Sequence, residues 1–187
     1  MKLSRDRRRE QLLDVAMEIV REHGADELTL GNLAARAGVS RPIAYGHFST
    51  RSGLLVALFK RLEDKFVHTL SSALKATPCE LQAVAEVMSA AYFNCLAEFG
   101  VEGPAISAAL RGTEEMATQQ KLMTDEYVGV MCEALRPFTP TEHEDLRLLC
   151  IGLLGAAEAF AAEVKTGRIS DARAAHEFSR LIVKRLS

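Results

Sequence analysis

The feature that most constrains the fold is a tight turn between two short helical patterns within residues 28–48. Thr29 can cap the first helix, and Ser40 can cap the second. Gly38 supplies the positive φ of a tight turn between them, and Pro42 suits the first turn of the second helix. This pattern predicts a helix-turn-helix, and the alternative is an ordinary three-helix element without a special role.

The same segment supplies a miniature hydrophobic core. Ala34 is small enough for the two helices to cross closely, and Val39 can fill the space between them. The other inward positions are predicted to be apolar side chains: Leu33, Phe48 and either Ile43 or Ala44. The outer side of the second helix is left to four candidates: Arg41, Pro42, Tyr45 and His47. One of the two rings on that side could instead pack inward.

Composition and periodicity predict an all-α chain. Trp is absent, five residues are Pro, and the abundant Ala, Leu and Glu favour helices. Caps, apolar spacing and breaks predict about nine helices, at residues 7–23, 29–36, 41–47, 53–75, 80–99, a short stretch after 104, 114–135, 142–165 and 171–186. We expect an N-terminal three-helix domain at residues 1–51 and a larger helical ligand-binding and dimerisation domain at residues 52–187.

The net charge of −2 conceals an uneven distribution along the chain. Residues 1–61 contain 11 basic and 7 acidic residues and carry +4, whereas the remainder carries −6. A basic module on an acidic body favours a polyanionic partner, and Arg, Tyr and His side chains on a short helix suit double-stranded DNA. Basic residues near the N-terminus would add contacts to the phosphate backbone: Lys2, Arg5, Arg7, Arg8 and Arg9.

The segment resembles the TetR family of transcriptional regulators over about residues 9–60. The resemblance is carried by Leu-Thr at 28–29, Ala-Gly-Val-Ser at 37–40, Tyr-x-His-Phe at 45–48 and Ser-Gly-Leu-Leu at 52–55. It implies that Thr29 meets phosphate, that the third helix approaches base edges, and that His47 and Arg51 hold the DNA backbone. The predicted DNA-binding set is Arg5, Arg7, Arg8, Thr29, Ser40, Arg41, Pro42, Ile43, Ala44, Tyr45, His47 and Arg51.

Two glycines depart from the pattern of that family. Gly31 occupies a position that is often polar or basic, and Gly46 replaces a commonly large side chain beside Tyr45. Both glycines lower the stability of a helix. We therefore hypothesise that this protein makes fewer side-chain contacts with DNA, and that its recognition helix orders fully only on DNA.

The C-terminal two thirds resembles the family only in helix number and length, so no ligand identity follows from it. Met and aromatic side chains make adaptable pockets, and several lie on the predicted helices. The candidates for an effector pocket are Met88, Tyr92, Phe93, Cys95, Met116, Met123, Tyr127 and Met131. Each of them could equally belong to a plain hydrophobic core.

Another set of C-terminal residues indicates close packing of helices. Small side chains recur at spacings of three and four along the helix predicted at residues 142–165, and apolar ones recur along the last helix. As the resemblance also implies, they could build a two-fold, four-helix dimer interface from Gly152, Gly155, Ala156, Ala159, Phe178, Leu181, Ile182 and Arg185. The alternative is packing of these helices within one subunit.

No motif points to catalysis, a metal or a cofactor. The four Cys residues show no C-x-x-C spacing, and the sequence has no Gly-rich phosphate loop, nucleophile elbow or HExxH motif. His143 stands between two Glu residues, a pattern better explained by a solvated helix N-terminus. The longest apolar stretches fall short of the roughly 20 residues that span a bilayer, so we expect a cytoplasmic protein without membrane contact.

As a whole, the sequence predicts a homodimer that binds a palindromic DNA operator, represses transcription and is released by an unidentified small-molecule effector. Two alternatives stay open. The first is a constitutive or partner-regulated DNA-binding protein. The second is a small-molecule-binding protein or enzyme that has lost DNA binding, for which Gly31 and Gly46 are the best support.

Overall fold

The computed structural model describes residues 3–100, 102–110 and 114–187. Over these ranges the chain forms nine α-helices and no strand, which confirms the predicted all-α class. The helices are α1 (Arg5–His23), α2 (Leu30–Arg36), α3 (Arg41–Phe48), α4 (Arg51–Lys75), α5 (Leu81–Phe99), α6 (Glu102–Leu110), α7 (Glu114–Leu135), α8 (His143–Lys165) and α9 (Asp171–Leu186). Short 3-10 turns cover Ala25–Glu27 and Arg136–Phe138.

Most predicted helix ends agree with the structure, and the exceptions have local causes. α3 extends through Phe48, because that ring packs into the core instead of opening the link to α4. α4 begins two residues earlier than predicted, because the hydroxyl of Thr50, and not that of Ser52, accepts a hydrogen bond from the N–H of Gly53 at 3.0 Å. Ser40 occupies the N-cap position of α3, but its side chain makes no capping hydrogen bond there.

The described residues separate into two compact units, and the first lies within residues 1–62 and 99–123. α1 contributes apolar side chains at helical spacing, so that one stripe of the helix is buried. The first half of α4 and α6 complete this core, whose buried members include Leu12, Ala16, Leu28, Leu33, Leu54, Leu58 and Ile106. The core of this unit supports α2 and α3 from behind.

The second unit comprises residues 63–98 and 124–187. α8 and α9 pack against each other along their length, and an ion pair of 2.7 Å between Asp125 and Arg147 joins α7 to α8. Its core includes Leu70, Met88, Met131, Leu146, Leu153 and Phe178. The predicted domain boundary between residues 51 and 52 lies at the start of α4 and stays a prediction. No described helix combines the length and apolar composition that a membrane-spanning segment requires.

Candidate nucleic-acid interface

The helix-turn-helix consists of α2, a turn at Gly38, and α3. The hydroxyl of Thr29 accepts a hydrogen bond from the N–H of Asn32 at 3.0 Å and so caps α2, as predicted. Gly38 has a φ of 64°, in the left-handed region, and the N–H of Val39 donates to the carbonyl of Ala34 at 3.0 Å. These contacts set the direction in which α3 leaves α2. Thr29 is exposed, so its hydroxyl can still donate a hydrogen bond to a phosphate.

Two side chains hold α3 against the core of the first unit. Ala44 is fully buried, and Phe48 is almost fully buried. They lie one helical turn apart and therefore share a face, so the inner position belongs to Ala44 and not to Ile43. The expectation that the side chain of Ala44 contacts DNA is wrong for the same reason, because a buried methyl group cannot reach a groove.

The opposite face of α3 is exposed and holds the other predicted residues of this helix start. Tyr45 is 51% exposed and Ile43 is 40% exposed, and solvent-facing apolar groups of this size suit contact with a partner. Ser40, Arg41 and Pro42 are also exposed. The structure thus brings five predicted residues together on one surface, which we call the α3 face (residues 40–43 and 45).

The two glycines border the α3 face. A methyl group at Gly31 would lie 3.8 Å from the hydroxyl oxygen of Thr29 and 4.0 Å from Nε and Nη2 of Arg41. The guanidinium of Arg41 therefore passes beside the first turn of α2. A methyl group at Gly46 would have nothing within 4 Å among the described atoms, so Gly46→Ala is compatible with this fold. The hypothesis that α3 orders fully only on DNA stays a prediction, which this substitution can test.

Arg9 connects α1 to the end of α3. Its Nη1 donates a hydrogen bond to the carbonyl of His47 at 3.1 Å, and its guanidinium carbon lies 4.9 Å from the centre of the Phe48 ring. The sequence analysis assigned Arg9 only to the phosphate backbone, whereas its observed partners are protein groups that fix the recognition helix. No local pattern could reveal this contact, because Arg9 and His47 are 38 residues apart.

We expect Arg9→Met to lower the free energy of unfolding by about 1–2 kcal/mol. Methionine keeps an apolar stem over Phe48 but loses both the cation and the hydrogen-bond donor. Urea denaturation followed by circular dichroism measures the change. Arg7→Met is the matched control, because Arg7 lies on the same helix with an exposed side chain. Equal losses in the two variants would contradict the anchoring role of Arg9.

The predicted N-terminal contacts belong to the first turns of α1 and not to a separate arm. Arg5 and Arg7 are exposed, and Arg8 is half-buried. Arg8 also donates a hydrogen bond to Oε1 of Gln11 at 2.6 Å. Lys2 lies outside the described residues. The helix therefore fixes the backbone of three predicted phosphate-binding residues before any DNA is bound.

His47 is half-buried at the end of α3, among these basic residues. Partial burial, followed by the positive charges of Arg5, Arg9 and Arg8, lowers the pKa of its imidazole. The cause is a concentration of positive charge between the start of α1 and the end of α3. Such a concentration attracts phosphate groups, which agrees with the role predicted for His47.

Arg51 has a different role from the predicted one. Its Nε donates to the carbonyl of Leu28 at 2.9 Å, and its Nη2 donates to the carbonyl of Ala25 at 2.7 Å. Nη2 also lies 3.8 Å from a carboxylate oxygen of Asp26. The expectation that this guanidinium simply holds the DNA backbone is corrected, because it ties the start of α4 to the 3-10 turn after α1.

The described candidates for the effector pocket are all buried in the second unit. They are Met88, Tyr92, Phe93, Cys95, Tyr127 and Met131; the side chains of Met116 and Met123 lie outside the described residues. The rings of Tyr92 and Phe93 meet edge to face at 5.2 Å. Burial is common to the wall of a pocket and to a plain core, so the effector pocket stays a prediction.

A surface depression of about 400 Å³ lies elsewhere, in the first unit. It is open to solvent and is lined by Ile19, His23, Glu27, Asn32, Ala35 and Arg36. None of these is a predicted effector residue, so this depression is not the predicted pocket. Within the described ranges, no three His, Cys, Asp or Glu side chains are grouped so that they could hold a metal ion.

The candidates for the dimer interface divide into two groups. Five side chains on α8 and α9 are exposed and one is half-buried: Gly152, Gly155, Ala159, Leu181 and Arg185, with Ala156 at the margin. Phe178 and Ile182 are buried within the subunit. Their assignment to a dimer interface is corrected, because a side chain that fills its own core has no surface left for a partner. Two exposed residues that the sequence analysis missed, Leu148 and Ile151, extend the same face of α8.

Comparison with known proteins agrees with this architecture. The family described as bacterial regulatory proteins, tetR family, matches residues 12–58. The HTH-type transcriptional activator FasR of Mycolicibacterium smegmatis is 29% identical over 154 residues, which cover 82% of this chain and 70% of FasR. The fatty acid metabolism regulator protein of Bacillus subtilis is 28% identical over 87 residues, 46% of this chain and 44% of that protein.

The fold also matches a solved structure. The transcriptional regulator FadR from Bacillus subtilis, in complex with stearoyl-CoA, has a TM-score of 0.76 at 17% identity, over 93% of this chain and 97% of that one. An all-α chain with an exposed recognition helix on a helix-turn-helix is a DNA-binding transcriptional regulator. The chain belongs to the TetR family of bacterial regulatory proteins.

Proposed function

We propose that the protein is a homodimeric repressor that binds a two-fold symmetric operator through α3 and is released by a small-molecule effector. The observation that carries the proposal is the α3 face, on which Tyr45 and Ile43 are exposed while Ala44 and Phe48 anchor the helix from behind. A short helix with this division can enter a major groove without losing its support. Because bacterial DNA is in the cytoplasm, we place the protein there.

Two copies of α3 are needed for specific binding. A two-fold dimer presents its recognition helices to half-sites about 34–36 Å apart or at a near multiple, so the operator is expected to be pseudo-palindromic. Arg41, Tyr45 and Ile43 are the candidates for base edges, and Thr29 and His47 are those for phosphates. We propose that Arg5, Arg7 and Arg8 add contacts to the backbone, which makes affinity strongly dependent on salt.

The exposed face of α8 is the proposed dimer contact. Leu148 is 62% exposed and Ile151 45% exposed, and Gly152 and Gly155 lie beside them with exposed backbone. Small residues next to apolar ones allow a partner helix to approach closely. Leu181 on α9 adds another exposed apolar side chain to the proposed interface.

We expect Leu148→Glu to weaken self-association about 10- to 100-fold, because a two-fold interface meets each new charge twice. Sedimentation equilibrium over a range of protein concentrations measures the change. Leu122→Glu is the matched control, since Leu122 is 58% exposed on α7 and lies in the other unit. Unchanged association of Leu148→Glu would place the dimer contact elsewhere.

The proposed effector site lies among the buried aromatic and Met side chains of the second unit. The FadR structure from Bacillus subtilis contains stearoyl-CoA, so a protein of this fold accommodates a small molecule. α4 contributes residues to both units, and a ligand that favours one position of α4 would shift the population of DNA-binding states. We propose that the protein acts by binding and not by catalysis.

Activation is the second candidate for the direction of control, because FasR is a transcriptional activator. Occupation of an operator by a dimer suffices for repression, whereas activation needs a further surface for the transcription machinery. Repression is therefore the simpler proposal for this chain. Transcription of a reporter placed behind the selected operator, with and without the protein, distinguishes the two directions.

The first test is selection of duplexes from a random pool by the purified full chain, followed by sequencing. We expect a palindrome to be enriched, and Arg41→Ala and Tyr45→Ala each to weaken its binding about 10- to 100-fold. Arg173→Ala is the control, because Arg173 is an exposed residue of α9 in the other unit. Affinity that ignores both salt and the two α3 variants would contradict the proposal.

A further inference from the structure

A cluster of aromatic rings lies at the centre of the second unit. Phe66 of α4 stacks nearly parallel on Tyr127 of α7, with ring centres 4.6 Å apart. The ring of Tyr92 on α5 lies 5.6 Å from Phe66. Tyr92 is 6% exposed and Tyr127 is 3% exposed. Three helices therefore bring two tyrosines against one phenylalanine, deep inside the unit.

The two tyrosines carry buried hydroxyl groups. Neither hydroxyl forms a hydrogen bond with any other described residue. A buried polar group without a partner is unfavourable by about 1–3 kcal/mol, and native proteins satisfy the great majority of such groups. Two of them side by side indicate that a partner from outside the described chain completes this cluster.

Glu63 lies beside the aromatic cluster. It precedes Phe66 by three residues on α4, so the two side chains share a face of that helix. Glu63 is mostly buried and forms no ion pair or hydrogen bond with another described residue. Burial, together with the negative charges of Asp64, Glu126 and Glu158, raises the pKa of Glu63 to about 7.

The charges around Glu63 are all of one sign. Glu126 belongs to α7 and Glu158 to α8, so carboxylates from three helices act on the same region, and no basic group acts on Glu63. A mostly buried carboxylate normally pairs with a cation, because removal from water is unfavourable for an isolated charge. The region therefore lacks positive charge, in addition to hydrogen-bond partners for two phenols.

We propose that Glu63, Tyr92 and Tyr127 form the recognition site for an organic cation with an apolar body, and that this cation is the effector. This inference rests on the proposed function, since it names the ligand class of the regulator. Glu63 supplies the counter-charge, the phenolic oxygens face the positive group, and the rings stabilise it by cation–π attraction. The surrounding Met88, Phe93 and Met131 suit the apolar part of the ligand.

The same charges argue against an anionic effector. A fatty acid or an acyl-CoA carries negative groups, and three carboxylates repel them within a region of low dielectric constant. Stearoyl-CoA is present in the FadR structure from Bacillus subtilis, yet the charges near Glu63 favour the opposite sign of ligand. The two ligand classes can therefore be compared directly in one experiment.

The test is calorimetric titration of the full chain with benzyltrimethylammonium, with uncharged benzyl alcohol and stearoyl-CoA in parallel. We expect the cation to bind, benzyl alcohol to bind at least tenfold more weakly, and Glu63→Gln to weaken binding of the cation about tenfold or more. Glu133→Gln is the control, because Glu133 is an exposed carboxylate of α7 in the same unit. Tyr127→Phe removes one hydroxyl without removing its ring and is expected to weaken binding to a smaller extent.

Tyrosine fluorescence locates the bound cation. The chain has no Trp and three Tyr, so a Tyr45→Phe background leaves only Tyr92 and Tyr127 as emitters. We expect benzyltrimethylammonium to change this emission in parallel with the calorimetric isotherm. Binding that is equal in wild type and Glu63→Gln, or binding of stearoyl-CoA in place of the cation, would overturn the assignment.

The selected operator separates this inference from the proposed function. If the chain binds a palindrome but no cation, the regulator stands and the ligand class is wrong. If the cation binds through Glu63 but operator affinity does not change, the site stands and its role as effector site is wrong. Release of the operator by the cation, lost in Glu63→Gln and kept in Glu133→Gln, supports both.

Discussion

Phe178→Ala is expected to lower the free energy of unfolding by about 3–5 kcal/mol. Phe178 is 2% exposed, and its ring centre lies 6.3 Å from that of Tyr92 and 6.4 Å from that of Phe93. Alanine would remove these contacts and leave a cavity that the three helices around it can fill only in part. Urea denaturation, fitted as a two-state transition if probes coincide, measures the loss.

Leu181→Ala is the control, because Leu181 lies on the same helix and is 40% exposed. If the proposed dimer forms, its effect on stability should depend on protein concentration, since burial of Leu181 then requires a partner. The difference caused by Phe178→Ala should instead be the same at every concentration. A Phe178 variant that unfolds like the wild type and differs only in self-association would restore the original interface assignment.

Helical phase alone explains why the sequence placed Phe178 and Ile182 in the interface. A helix turns about 100° per residue, so Phe178, Leu181, Ile182 and Arg185 fall within one broad stripe. Only packing decides which edge of that stripe faces the core of the subunit. The structure buries Phe178 and Ile182 and leaves Leu181 and Arg185 exposed, and this division depends on α5 and α8, which periodicity does not include.

The helix-turn-helix could be predicted more closely, because its determinants are local. Thr29 caps a helix by a bond to a residue three positions away, and Gly38 meets a conformational demand of its own backbone. Arg9 and Arg51 could not be predicted in the same way. Their partners are 38 and 26 residues distant, and a basic residue near a DNA-binding helix suggests phosphate in the absence of those contacts.

Glu63→Gln is expected to raise the free energy of unfolding by up to about 3 kcal/mol near pH 8. The folded chain raises the pKa of Glu63 from 4.5 to about 7, so the folded state binds the proton more tightly than the unfolded state does. The stability that this proton contributes is complete below pH 4.5 and is lost as the pH rises through about 7. Glutamine stays neutral and removes that loss.

The pH dependence is the decisive feature of this prediction. Wild type and Glu63→Gln should converge near pH 4, where both side chains are neutral, and should diverge between 4.5 and about 7. Glu133→Gln should differ from wild type by no more than about 0.5 kcal/mol at any pH, because that carboxylate is exposed. A constant difference between wild type and Glu63→Gln would show that burial does not perturb Glu63.

The stability and binding properties of Glu63 are linked through the same negative charge. A cation that pairs with the carboxylate favours the ionised form, so binding releases a proton and strengthens as the pH rises from about 6 to about 8. The wild-type chain should then be stabilised most by benzyltrimethylammonium at the pH at which it is least stable alone, and Glu63→Gln should gain little from it. Stabilisation by the cation that is independent of pH would contradict a site built on Glu63, because none of the other groups named in that site changes its charge in this range.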